Sequence, residues 1–157
     1  MTNPVTQDRL HFEDLRVGEV IALGHKAVTK DMIFSFAREF DPLPFHLDEK
    51  AAKASLLGGL ASSGWQTGAL SLRLLADAFL NKIASAGSLG MSNLKWKAPV
   101  MVDDTIGGTV TIAELRRSDS HPQWGIASLD FDIRNQKDRQ VMTMQQAILV
   151  ELRDTTP

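Results

Sequence analysis

Cysteine is missing from all 157 residues, which excludes disulfides and thiolate chemistry alike. Histidine is scarce, with only His11, His25, His46 and His121 present, and their spacing matches no metal-ligand pattern. No charge of one sign dominates. The 17 basic and 19 acidic residues leave a formal net charge of −2. They are scattered, so that apart from the local Arg116-Arg117 pair nothing forms a broad cationic face for nucleic acid or an anionic membrane. A long hydrophobic run is also lacking. The longest stretch, Trp65 to Leu80, is interrupted by Arg73 and Asp77 at helical i,i+4 spacing, which places it in a core and not across a bilayer. Met1 to Arg9 have neither the charged start nor the continuous apolar centre of a secretory signal, so residues 1–10 read as a flexible N-terminal segment and a cytoplasmic location is expected.

What the chain does contain is the balance of a globular protein, 43% hydrophobic and 23% charged residues, at a length suited to one domain over 1–157. A β-prone run from Glu19 to Val28 follows the Val17-Gly18 turn. Thr29 is placed to cap a helix over Lys30 to Phe40, in which Met32, Ile33, Phe36, Ala37 and Phe40 recur at the helical period and predict one buried face. The next segment, Asp41-Pro-Leu-Pro-Phe-His46, predicts a rigid loop, because two prolines remove backbone donors and bias their predecessors toward extended conformations. Asp48 then caps a short helix over Glu49 to Ser55, which Gly58-Gly59 breaks.

Ser62 or Ser63 caps a long helix from about Gly64 to Leu80, apolar on nearly every side and so expected to be surrounded. A connector over Asn81 to Gly90 leads to a strand at about Met91 to Lys97. Alternating patterns over Thr105–Leu115, Trp124–Asn135 and Gln140–Leu152 predict half-buried strands joined by turns at 118–123 and 136–139. The sum is an α+β domain, an antiparallel meander packed on a buried helix, with pairing of two such sheets into a homodimer expected to hide the remaining faces.

Chemistry concentrates at two places. Asp41 and His46 are titratable groups joined by a proline-stiffened segment. On residue types alone a turn cap and a packed histidine are the more ordinary account of them. The second place is Ser62-Ser63-Gly64, where the unpaired amides and positive dipole end of the long helix can receive developing negative charge, and where Gly64 lets a ligand approach its N–H. A plain helix start explains it too.

The run Phe36-Ala-Arg-Glu-Phe-Asp41-Pro-Leu-Pro-Phe-His46-Leu-Asp48 resembles the hydratase motif of the MaoC-like hydratase/dehydratase family. Ala51-Ala52, Gly58-Gly59 and Ser63-Gly64 stand where that family has an alanine-rich helix, glycines and a histidine-glycine pair. Val17-Gly18 and the stretch from Leu94 through Pro99 to Asp103-Asp104-Thr105 extend the likeness over roughly residues 11–152. Three positions depart from it: Leu43 replaces an asparagine, Ser63 replaces the histidine, and Ala69 stands where a helix serine is usual, which reduces polar support for the site.

The resemblance implies a hot-dog fold, an antiparallel sheet wrapped around a long central helix. It also implies reversible syn addition of water to a trans-2-enoyl-CoA, giving an (R)-3-hydroxyacyl-CoA, with no metal or other cofactor beyond the coenzyme A of the substrate. Asp41 and His46 together would hold the water and shuttle its proton, and Gly64, with Ser63 and Trp65 beside it, would face the thioester carbonyl. Which of the pair is the base stays open. Trp65 and Trp96 are better placed as core or acyl-pocket walls than as coenzyme stacking partners. Lys95 and Lys97, or Arg116 and Arg117, are candidate phosphate contacts. A hot-dog acyl-CoA thioesterase and a non-catalytic acyl-binding subunit are the alternatives that share this fold.

Overall fold

The computed structural model describes residues 9–153. Its elements in chain order are β1 (Val20–Ala27), α1 (Lys30–Phe40), α2 (Pro44–Leu47), α3 (Glu49–Ala54), α4 (Gly64–Ala78), β2 (Ser85–Trp96), β3 (Thr105–Arg117), β4 (Trp124–Arg134) and β5 (Gln140–Glu151), with 3₁₀ turns at Phe12–Asp14 and Leu80–Lys82. The strands form one antiparallel sheet in the order β1-β3-β4-β5-β2. The fold is the hot-dog arrangement that the sequence resemblance implied.

Alternation along the strands sets which face is buried. Ile106, Val110 and Ile112 of β3, Ala127, Leu129, Phe131 and Ile133 of β4, and Met142, Met144, Ile148 and Val150 of β5 all lie in the core. Their partners of opposite parity face the other side of the sheet. Each fully buried isoleucine or leucine contributes about 1.5–3 kcal/mol relative to exposure. The α4 helix crosses this apolar face, packed against β1 and β3, with Leu74 and Leu75 pointing inward.

The meander holds only for β3-β4-β5. The chain leaves α4 into β2, which pairs with β5 at one edge, while β1 pairs with β3 at the other. Residues 85–90, expected as part of a connector, belong to β2. Glycine and serine are tolerated there because the strand pairs on one side only and its register with β5 slips between Ser85 and Gly87, between Ser88 and Gly90, and between Ser92 and Lys95. Nor is α4 enclosed on all sides within one chain: Trp65, Ala69, Arg73 and Asp77, four residues apart in succession, form an exposed stripe. Arg73 and Asp77 pair along it at 2.8 Å. The helix ends at Ala78, two residues before the expected Leu80.

In α1 the buried residues are Ile33 and Ala37, whereas Phe40 in the last turn is 64% exposed and lies tilted against the Phe36 ring. Most of the N-terminal segment expected to be flexible, residues 1–8, lies outside the described residues. Leu10 is anchored, bridging to Ile83 through hydrogen bonds on both of its backbone groups. Among the described residues no helix is long and apolar enough to cross a membrane.

Candidate active site

The first component is built at the end of α1. The backbone N–H of Asp41 closes the helix onto Ala37, and the Asp41 carbonyl accepts from Leu43. The segment that follows is not a loop throughout. Pro44 occupies the first position of α2, where a missing N–H costs nothing and the ring pre-sets the helical φ, so one turn forms and carries His46 as its third residue. Asp48 caps α3 by accepting from the Ala51 N–H at 2.7 Å. The end of α1 thus fixes Asp41, and two consecutive short helices fix His46.

The second component comes from the chain before α4. Residues 60–62 are held against 100–102 by the Ala61–Met101 bridge, with Ser62 N–H donating to Val100 and Val102 N–H to Leu60. This leaves the Ala61 carbonyl 2.9 Å from His46 Nδ1. A carbonyl only accepts, so Nδ1 carries the hydrogen and the neutral ring has its lone pair on Nε2. That Nε2 lies 3.5 Å from Asp41 Oδ2. His46 is buried, packed edge-on against Phe45.

Ser63 is the residue before the first turn of α4, yet its side chain makes no capping bond. Its hydroxyl instead donates to Asp41 Oδ2 at 2.7 Å. The expected loss of polar support at this position is therefore corrected: serine supplies a direct hydrogen bond to the carboxylate. Ala69 is corrected as well, since it lies on the exposed stripe, and the α4 hydroxyl that reaches the site is that of Thr67. Ser62 donates to Gln66 Oε1, and Gln66 Nε2 donates to the Met32 carbonyl, which ties the start of α4 to α1.

Asp41, His46, Ser63, Gly64, Trp65 and Thr67 line one cleft of about 370 Å³, closed elsewhere by Phe45, Leu57, Trp96, Lys97 and residues 98–100. The amides of the first turn of α4 have no intrahelical acceptor. Trp96 donates its indole N–H to the Gly64 carbonyl at 3.0 Å, and Trp65 meets Trp96 edge-on. Both tryptophans are walls of the cleft rather than core, being about half exposed. A Cβ at Gly64 would fall 2.5–2.8 Å from the Trp96 ring, so the glycine is required by this indole. Lys97 borders the cleft and also an adjacent groove in which Lys95 lies; Lys95 is outside the cleft itself. Arg116 and Arg117 end β3, away from it. Among the described residues no group of three or more acidic or histidine side chains is placed to hold a metal ion.

Sequence reasoning did not find Ala61, Thr67 or Gln66. Thr67 follows Ser63 at i+4, a spacing that could have shown it to share the helix face that meets the site. The role of Ala61 depends on a backbone pairing across forty residues and leaves no local mark.

The profile of the family described as "MaoC like domain" matches residues 15–125. The chain belongs to the MaoC-like family. Among curated relatives, a protein of Bacillus subtilis named "Uncharacterized protein YdeM" is 29% identical over 90% of this chain and 99% of its own length. An (R)-specific enoyl-CoA hydratase of Rhodospirillum rubrum is 30% identical over 67% of this chain and 71% of its own. Among solved structures, a MaoC-like dehydratase from Rhodospirillum rubrum superposes with a TM-score of 0.81 at 37% identity, covering 92% of this chain and 99% of the other. Membership supports hydratase or dehydratase chemistry in general and gives the Asp41 and His46 geometry its chemical context.

Proposed function

We propose that this MaoC-like protein adds water reversibly to a trans-2-enoyl-CoA, giving an (R)-3-hydroxyacyl-CoA. The observation that carries the reading is the 3.5 Å approach of His46 Nε2 to Asp41 Oδ2 in the wall of a cleft that also contains the uncommitted amides of α4. An ionised carboxylate and a neutral Nε2 are both acceptors, so a water donating one hydrogen to each satisfies them together.

In the forward direction the water oxygen forms its bond to C3 as one member of the pair takes a proton. The C2=C3 electrons move toward the carbonyl, and the thioester oxygen gains charge beside the Gly64 N–H. Return of a proton to C2 on the same face completes syn addition, and dehydration runs the same steps backward. Asp41 and His46 act as a coupled unit, without separate labels for base and acid.

The acyl part would run along the apolar walls from Phe45, Leu57 and Val100, with Trp65 and Trp96 at the mouth. Lys97, shared between the cleft and the next groove, is the better-placed cation for the coenzyme phosphates, with Lys95 further along the same path. No metal or further cofactor enters this scheme. We assign a second copy of the chain as the partner of β2, whose outer edge is unpaired and whose Leu89, Met91 and Trp96 are exposed.

The test is turnover of a panel of enoyl-CoA thioesters, followed by loss of conjugated absorbance. Asp41→Asn and His46→Ala should each lower kcat by about 10²–10⁴-fold. Unchanged turnover in both variants would defeat the assignment. Thiol release without hydration would instead favour a thioesterase, and tight binding without turnover an acyl-binding subunit.

A further inference from the structure

Ser63 occupies the position from which a serine ordinarily caps a helix, accepting a hydrogen bond from an amide of the first turn. It makes no such bond. Its backbone carbonyl serves the helix by accepting from Thr67 N–H at 3.0 Å, while the residue, 1% exposed, turns its side chain to Asp41. A hydroxyl has one hydrogen to give, and here it goes to Oδ2, the carboxylate oxygen that faces His46.

We propose that Ser63 is a positioning residue that gives up the helix cap in order to hold the Asp41 carboxylate against His46, and that it makes no contact with the substrate. The inference rests on the hydratase reading and revises the role in carbonyl binding that the sequence suggested for this serine.

Two consequences of the one rotamer support it. The carboxylate, at the end of α1 where its backbone is only half inside the helix, is fixed in direction by a charge-assisted bond from a rigid, buried donor. The amides of α4 are left without a side-chain acceptor, so they are available to an oxygen of the substrate. A serine that capped the helix would lose both effects at once. A serine that donated to the thioester oxygen would have to release Asp41 first.

The decisive comparison uses the full chain with wild-type, Ser63→Ala, Asp41→Asn and the double variant, assayed with the enoyl-CoA that wild type turns over best. If Ser63 acts through Asp41, Ser63→Ala lowers kcat roughly 10- to 100-fold with KM little changed, and costs nothing further in the Asp41→Asn background. An equal loss in both backgrounds, or a loss carried by KM, identifies a substrate contact and overturns the proposal. Crystal structures of wild type and Ser63→Ala give a readout independent of turnover. Displacement of the Asp41 carboxylate away from His46 in the variant is the expected result, and a carboxylate that stays in place overturns the proposal. If wild type turns over no enoyl-CoA, the hydratase reading fails by itself, and the crystallographic comparison still decides whether Ser63 holds Asp41.

Discussion

Gly64 carries two demands that a sequence cannot separate. A glycine at a helix start invites the interpretation that a ligand must come close to its amide. Yet the position where its Cβ would stand is taken by the Trp96 indole, at 2.5–2.8 Å. Gly64→Ala should therefore destabilise the protein by about 1–3 kcal/mol through overpacking, offset in part by the better helix propensity of alanine. Urea denaturation checks this, and trimming the indole with Trp96→Leu in the same chain should remove most of the penalty. A Gly64→Ala variant as stable as wild type, with Trp96 intact, would show that the indole moves aside at no cost. That Asp41, His46 and Gly64 belong together was suggested in the sequence by the likeness to the family motif more than by the prolines and the helix start, and the structure brings the three to one cleft. Trp96 was named there as a core or pocket wall, but not its hold on Gly64, and Ala61 and Thr67 were missed, since the Ala61 carbonyl reaches His46 through the pairing of residues 60–62 with 100–102 and Thr67 enters the cleft by the face that α4 presents.

At the scale of elements, the helix starts divide by what their first side chain does. Thr29 accepts from Met32 N–H and Asp48 from Ala51 N–H, so Thr29→Ala and Asp48→Ala should each cost about 1 kcal/mol in denaturant-induced unfolding. A loss near zero at either would mean that solvent replaces the cap there. The caps of α1 and α3 were readable from single residues. The helix α2 was not, because two nearby prolines suggest a loop until one of them is seen at the first helical position, where proline is favoured. The first half of β2 was equally hidden: its glycines and serines carry no strand signal, and only the backbone ladder offered by β5 makes it extended.

Across the whole molecule, the first and last described segments are clasped. Asp14 accepts from the His11 N–H and pairs with Arg153, and its carboxyl is held below the ordinary value of 3.8, first by the His11 backbone hydrogen bond and then by Arg153. A carboxyl whose folded-state pKa is depressed stabilises the fold above its unfolded value, and that contribution fades as pH falls through the depressed value. Thermal melts should therefore show Asp14→Asn less stable than wild type at neutral pH, with the two converging as the solution is acidified below about pH 3.8. A constant gap at all pH values would assign the effect to packing.

Light scattering should give the mass of two chains, and a monomer at micromolar concentration would remove the second copy from the scheme. The walls around Asp41 and His46 are backbone-locked: two capped or proline-started helices on one side, a bridged pair of segments on the other. The rest of the cleft is bordered by side chains, among them the half-exposed indoles of Trp65 and Trp96, the latter tied to the Gly64 carbonyl. Admission of a ligand then calls for adjustment of side chains and not for a backbone lid, whose microsecond-to-millisecond opening is what slows many enzymes, and entry should not limit the rate of turnover.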